Sequence, residues 1–217
     1  MKTTSSNLAV KAFVILPILL IILIVSYCYN NLVGKEEDVF DAWSQLESNY
    51  QLRQDLIPNI VSTVKAYAAH EKETISDTTA QRTALLNSAE KLEAANKEAK
   101  QSKSDSKSVL ADEAKANKMS STQQHVSEQY RQFLITVENY PTLRASEQFL
   151  ELQSQLEATE NQINFTRMNF NEKAKAFNES IRKIPGSFVA GLGNFKRKAY
   201  FKSEPTANKP IKVEFNN

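Results

Sequence analysis

The chain has 217 residues, a formal net charge of +2, 41% hydrophobic residues and a single cysteine, Cys28. Four glycines and six prolines are too few to punctuate a many-stranded fold, so one domain built from long helices is expected. With Cys28 near the N-terminus, the rest of the chain has no thiol, which excludes an intrachain disulfide, a cysteine metal site and a cysteine nucleophile there.

Residues 1–11 form a short segment containing Lys2 and Lys11. Residues 12–29, AFVILPILLIILIVSYCY, then run for eighteen positions without a charge. As a helix they cover roughly 27 Å, close to the hydrocarbon thickness of a bilayer. Cleavage wants small residues at the end of the apolar run, but Tyr27 and Tyr29 stand there. Tyr27 also occupies the position before Cys28 where a lipoprotein signal needs a small side chain. An uncleaved span is the expectation, with Pro17 tolerated inside it and the two tyrosines at the interface. Lys2 and Lys11 against Lys35 alone on the other side place the N-terminus in the cytoplasm and residues 30–217 outside it.

Residues 30–185 read as helices. A first stripe is Val39, Trp43, Leu46 and Tyr50; it breaks at Asp55, Leu56, Ile57 and Pro58, then continues as Ile57, Ile60, Val64 and Tyr67. Aspartate caps helices and proline fits a first turn, so one helix is expected to end near Arg53 and the next to start near Leu56. A kink within one long rod is the alternative. The choice matters: residues 30–54 span about 38 Å, and a separate helix over 56–103 would run about 70 Å and meet the bilayer. It must then splay sideways or break near Asn87, unless the first two helices are one rod with its tip far from the membrane. Residues 87–124, rich in Ala, Lys, Glu and Ser, read as an extended, solvated helical tip.

A third helix, roughly 112–138, carries Val126, Tyr130, Phe133 and Val137 on one face and ends at Tyr140 and Pro141. The strongest pattern is Phe149, Leu152, Leu156, Thr159, Ile163, Thr166, Phe170, Ala174, Phe177, Ile181 and Ile184, a run of steps of three and four that describes a coiled-coil-like seam. Pro185 and Gly186 stop it. The expected fold is all-α: a transmembrane helix, an antiparallel four-helix bundle and an irregular tail over 186–217. In that tail FKRKAYF interleaves cations with aromatics, and 210–215 alternate like a short strand.

Several stretches resemble the bacterial LemA family: YNNLV at 29–33, AWSQL at 42–46, RQDLIPNIVSTVKAYAAHE at 53–71, ENYPTLRASEQFLELQSQLEATENQI at 138–163, FNEKAKAFN at 170–178, and the ending KRKAYF. The resemblance implies a membrane protein with one N-terminal span and an antiparallel four-helix bundle. It implies no biochemical activity. Residues 87–124 look longer than the connection usual in that family.

Chemistry is sparse. His70 and His125 belong to neither HExxH nor the Glu-x-x-His pairing of di-metal bundles, and the four glycines build no phosphate loop. No catalytic, metal or cofactor site is expected, and the chain reads as non-enzymatic. The polar residues inside the resembling stretches are Arg53, Asp55, Asn59, His70, Glu71, Glu160, Arg167 and Asn171. They form either an interaction site or a satisfied network that fixes helix register. Lys196, Arg197, Lys198, Tyr200, Phe201 and Lys202 either meet anionic headgroups or pack along the bundle against the acidic stretch of Glu36, Glu37, Asp38 and Asp41. The functional expectation is a scaffold or interaction protein of the bacterial inner membrane with unidentified protein partners, without nucleic acid, and with self-association left open. An accessory, non-catalytic subunit of a quality-control or other enzyme complex is the alternative. A signal transducer is disfavoured, since only residues 1–11 lie beyond the anchor.

Overall fold

The computed structural model describes residues 3–74, 79–102, 109, 110 and 112–201, and of these the side chains except those of 3–12, 14, 71–74 and 79. Thr3–Thr74 is one helix of 72 residues, α1, with Pro17 and Pro58 inside it. Its N-terminal part is long and apolar enough to cross a membrane, and only 6% of that window is buried.

The interruption expected near Arg53 does not occur, for two physical reasons. Pro58 lacks the N–H that would bond the carbonyl four residues earlier, Gln54. Asn96 fills that place: its side-chain amide donates to the Gln54 carbonyl at 2.9 Å. The buried stripe is also unbroken, because Arg53 occupies a position within it. Val39, Trp43, Leu46, Tyr50, Arg53, Ile57, Ile60 and Val64 follow each other by steps of four and three, and none is more than 2% exposed. Asp55 caps nothing; it is exposed and pairs with Lys100 at 3.5 Å.

The chain returns as α2, Thr79–Gln101. Lys65 meets Glu93, Gln54 meets Asn96 and Asp55 meets Lys100, so α2 runs antiparallel to α1. Its inner face is Leu85, Ala89, Leu92, Asn96 and Ala99, all buried. The solvated tip expected over 87–124 is therefore corrected across its described part: the small alanines let α2 lie close to its neighbours. Residues 103–108 lie outside the described residues. Next comes α3, Glu113–Val137, whose N-terminus is capped by the Asp112 carboxylate accepting from the amides of Ala114 and Lys115. Its buried row is Ala116, Met119, Gln123, Val126, Tyr130, Phe133 and Val137.

After the single turn α4, Pro141–Arg144, the chain enters α5, Glu147–Ser180, capped by Ser146. Tyr67 bonds Thr142, Arg53 bonds Glu160 and Lys35 bonds Ser180, so α5 lies antiparallel to α1 along most of its packed length. The expected seam is buried from Phe149 to Phe177 except at Leu152, which like Ile181 is half-buried, while Ile184 is 80% exposed. Pro185 and Gly186 end it as expected: a β-carbon on Gly186 would stand 2.2 Å from the Ser180 carbonyl oxygen, so only glycine fits this close turn. A last helix, α6, Gly186–Gly193, packs Val189 and Ala190 on Leu32 of α1.

Two large apolar clusters fill the space between these helices. The cluster far from the apolar N-terminal segment gathers Ile57, Leu92, Phe133 and Phe149; the near one gathers Trp43, Met119, Phe170, Phe177 and Phe201. Among the described residues there is no strand. The strand expected over 210–215 lies outside them.

The bond between Asn96 and Gln54 predicts a specific coupling. In the full chain in detergent, Asn96→Ala should lower unfolding stability by about 1–2 kcal/mol, because a partly buried carbonyl loses its partner. Combined with Pro58→Ala, which restores the helical N–H, the same substitution should cost clearly less; a double-mutant cycle by denaturant unfolding measures the difference.

Candidate functional site

Between the two clusters lies a layer of polar side chains at core positions. Arg53 is 1% exposed. Its Nη1 donates to Glu160 at 2.6 Å and to Ser127 Oγ at 2.7 Å, and its Nη2 donates to the Gln123 backbone and side-chain carbonyls. Ser127 Oγ donates onward to the other Glu160 oxygen at 2.9 Å. Asn96 of α2 and Thr159 of α5 are buried at neighbouring core positions. A buried guanidinium is tolerated only when paired and hydrogen-bonded, and this one reaches both α3 and α5.

One turn below, burial raises the Tyr50 hydroxyl above the ordinary tyrosine pKa, opposed by the nearby Arg167 and Arg53 guanidinium groups. Arg53 also lies over the Tyr50 ring, 5.6 Å from its centroid. On the other side of the layer, burial raises the Tyr130 hydroxyl far above its usual value, with the charges of Glu157 and Glu160 adding to the rise.

The expected set of polar motif residues is thus divided. Arg53 and Glu160 meet directly, and Arg167 approaches them through Tyr50. Asp55 sits on the outer surface with Lys100. Glu71 belongs to α1, but its side chain lies outside the described residues. Gln123, Ser127 and Asn96 were missed by sequence reasoning, although the steps of three and four along α2 and α3 place Asn96 and Gln123 on the buried rows.

Asn171 has a different task. Its side chain accepts from the Phe201 amide and donates to the Phe201 carbonyl, both at 2.9 Å; Asn178 does the same with Lys198 at 2.8 Å. Seven helical residues rise about 10.5 Å and three extended residues cover about 10 Å, so the two asparagines clamp the tail as an extended strut. The Ala199 amide donates to the Leu110 carbonyl on the strut's other side. Phe201 stacks on Trp43 with 5.6 Å between ring centroids, and the Lys198 ammonium pairs with Glu36 against the Phe40 and Phe177 rings. Of the two alternatives for the tail, Lys198 and Phe201 take the packed one: both are buried in the near cluster, Lys198 against Glu36 of the acidic stretch, and neither is placed to meet headgroups. Lys196 and Arg197 remain exposed, Tyr200 is half-buried beside Arg197, and Lys202 lies outside the described residues.

Asn59 and His70 line a groove of about 710 Å³ between α1 and the α4–α5 corner. Its floor and rims include Ser62, Thr63, Tyr67, Ser146, Gln148, Glu151 and Gln155, a polar and largely uncharged lining. All twelve residues around it fall within 53–71 or 138–163. Among the described residues no three His, Cys, Asp or Glu side chains converge as metal ligands would.

The family model for the LemA family matches residues 42–215, which takes in the polar layer, the clamped tail and both walls of the groove. The chain belongs to the LemA family. Curated relatives include Magnetosome protein MamQ 2 and Magnetosome protein MamQ 1 of Paramagnetospirillum magneticum. Each is 26% identical over 189 residues, covering 84% of this chain and 68% of the relative. Magnetosome protein MamQ of Magnetospirillum gryphiswaldense is 33% identical over 75 residues, 35% of this chain and 28% of that protein.

In this LemA-family chain, Arg53→Ala should lower unfolding stability by about 3 kcal/mol, since Glu160 loses its cation and Gln123 its donor. Lys173→Ala, which removes an exposed pair with Asp38, should stay within about 1 kcal/mol. Equilibrium unfolding of the two variants separates them.

The tyrosines predict an alkaline limit. A folded-state pKa raised above the unfolded value of about 10 gives stability that is present below pH 10 and lost as pH rises beyond it. The melting temperature should fall above pH 10, and more shallowly with Tyr50→Phe and Tyr130→Phe combined.

Proposed function

We propose that this chain is a non-enzymatic, membrane-anchored scaffold of the bacterial envelope: a single N-terminal span holding an antiparallel four-helix bundle with its polar groove far from the bilayer. The observation that carries this reading is the continuity of α1, which runs from the apolar segment to the groove without a linker. A groove tied to a rigid rod is held at a set height and orientation above the membrane. Residues such as Asn59, Ser62, Gln148 and Gln155 offer many neutral donors and acceptors, which suits a protein partner's backbone better than a charged small molecule. On the same reading the Arg53 layer is structural: it aligns α1, α3 and α5 so that the groove walls face each other. The body lies outside the cytoplasm in the inner membrane, following the lysine bias around the span.

A second reading takes the unbroken rod as a transmitter, in which partner binding at the groove shifts α1 through the span. It shares the same site and differs only in what the partner does.

The test is site-specific photo-crosslinking in intact cells. A photoreactive side chain at Ser62 or Gln155 should capture the same protein, whereas one at Ser121, exposed on α3, should not. A partner that is an enzyme of membrane-protein turnover would favour an accessory role, and capture of a second copy of this chain would favour self-association. Identical products from all three positions would remove the groove from the account. Orientation is checked separately: Gln162→Cys in a Cys28→Ser background should react with a membrane-impermeant maleimide in whole spheroplasts. Reaction only after lysis would place the body in the cytoplasm.

A further inference from the structure

The sequence SFVAGL within α6 carries no charge, yet only one side of this helix is covered. Val189 and Ala190 pack on Leu32, while Phe188 is 68% and Leu192 83% exposed, and Ile184 just before the helix is 80% exposed. Three large apolar side chains on one side of a short element are unusual on a surface facing water. Their depth gives a reason. Leu192 and Gly193 line a small pocket with Val25, Ser26, Tyr29 and Asn30 of α1. Val25 is four residues before Tyr29, about 6 Å further into the apolar segment. The end of α6 therefore lies level with the last turn of the span.

The chain reverses there. Asn194 takes the left-handed conformation, φ 54°, and Phe195 climbs away against Tyr29 and Phe177. Exposed bases flank the apolar helix on both sides: Arg182 and Lys183 before it, Lys196 and Arg197 after it. Of these, Lys183 also pairs with Glu179 at 3.0 Å. An apolar helix whose end reaches the level of the span, flanked in sequence by bases, matches an element dipping into the bilayer interface, its apolar face among the acyl chains and its bases among phosphates.

We infer that α6 is a second membrane contact: Ile184, Phe188 and Leu192 insert into the interface of the bilayer that the N-terminal span crosses, and Arg182, Lys183, Lys196 and Arg197 engage anionic headgroups. This rests on the reading of residues 12–29 as a span. The contact gives the body two points of attachment, so the rod cannot swivel freely about its own axis. It also differs from a tail lying flat on the membrane, since Lys198 and Phe201 point into the core and only the turn at α6 reaches the lipid.

The experiment uses the full chain, with Cys28→Ser, in nanodiscs of phosphatidylcholine and phosphatidylglycerol. A nitroxide is placed by Phe188→Cys or Leu192→Cys, with Leu20→Cys as the reference in the span and Gln162→Cys as the reference in the body. Collision with oxygen is compared with collision with a water-soluble nickel chelate. The expected result is a several-fold preference for oxygen at 188, 192 and 20, and the reverse at 162. Chelate access at 188 and 192 with oxygen preference at 20 would overturn the inference and leave the span intact. Protection from both reagents would mean that protein covers α6, which also overturns it. Chelate access at 20 would overturn the span and the inference with it. All four sites are exposed, so folding should survive labelling; unchanged melting of each labelled chain verifies this.

Discussion

A helix of 72 residues that holds a proline where its neighbours must pack has one carbonyl to satisfy, that of Gln54, and the body depends on how this is done. Asn96 reaches across from α2 and replaces the missing donor. The bond ties α2 to α1 at one height, and the adjacent Arg53 ties α3 and α5 to α1 at the same height through Gln123, Ser127 and Glu160. Apolar stripes alone would permit sliding by a turn, since each presents a similar row of Leu, Ala, Ile and Phe. Polar partners at a fixed height remove that freedom, because a slipped register would leave the buried Arg53 charge and the partly buried Gln54 carbonyl unpaired.

The far and near clusters differ in what completes them. Beyond the layer, α1, α2, α3 and α5 supply the apolar surface themselves. Nearer the span, α2 has already ended, and the space beside Trp43 and Phe170 is taken by residues 109 and 110 and by the strut at 198–201. Residues 198–201 are thus part of the near core, fastened by Asn171 and Asn178 at a heptad spacing that matches three residues of extended chain. Function divides along the same axis: lipid contact is proposed at one end, and a partner groove, lined wholly by two stretches that mark the LemA resemblance, at the other.

The long seam of α5, the extent of α3 from about 112 to 138 and the stop at Pro185 and Gly186 were legible in the sequence because periodicity and helix-breaking residues are local signals. The rod stood only as the alternative, since Asp55 and Pro58 have the chemistry of a cap and a first turn and the apolar stripe falters between Tyr50 and Ile57. Counting Arg53 by position makes the row continuous from Val39 to Val64. The burial of α2 was hidden in the same way: alanines and one asparagine carry its inner face, and their composition reads as solvated. The site was less legible still. Arg53 with Glu160 was within the expected set, but Asp55, Asn59 and His70 go to other surfaces, and the direction of each follows from helix phase relative to the buried row.

The unbroken passage of α1 through Pro58 is tested most directly by the distance between two exposed sites on the same face, four heptads apart. Spin labels at Asp41→Cys and Ala69→Cys, in a Cys28→Ser background in nanodiscs, should give a narrow pulsed-EPR distribution near about 42 Å, the rise of 28 helical residues. A chain that ended one helix near Arg53 and folded back into another would bring the labels within roughly 20 Å, and that result would contradict the account.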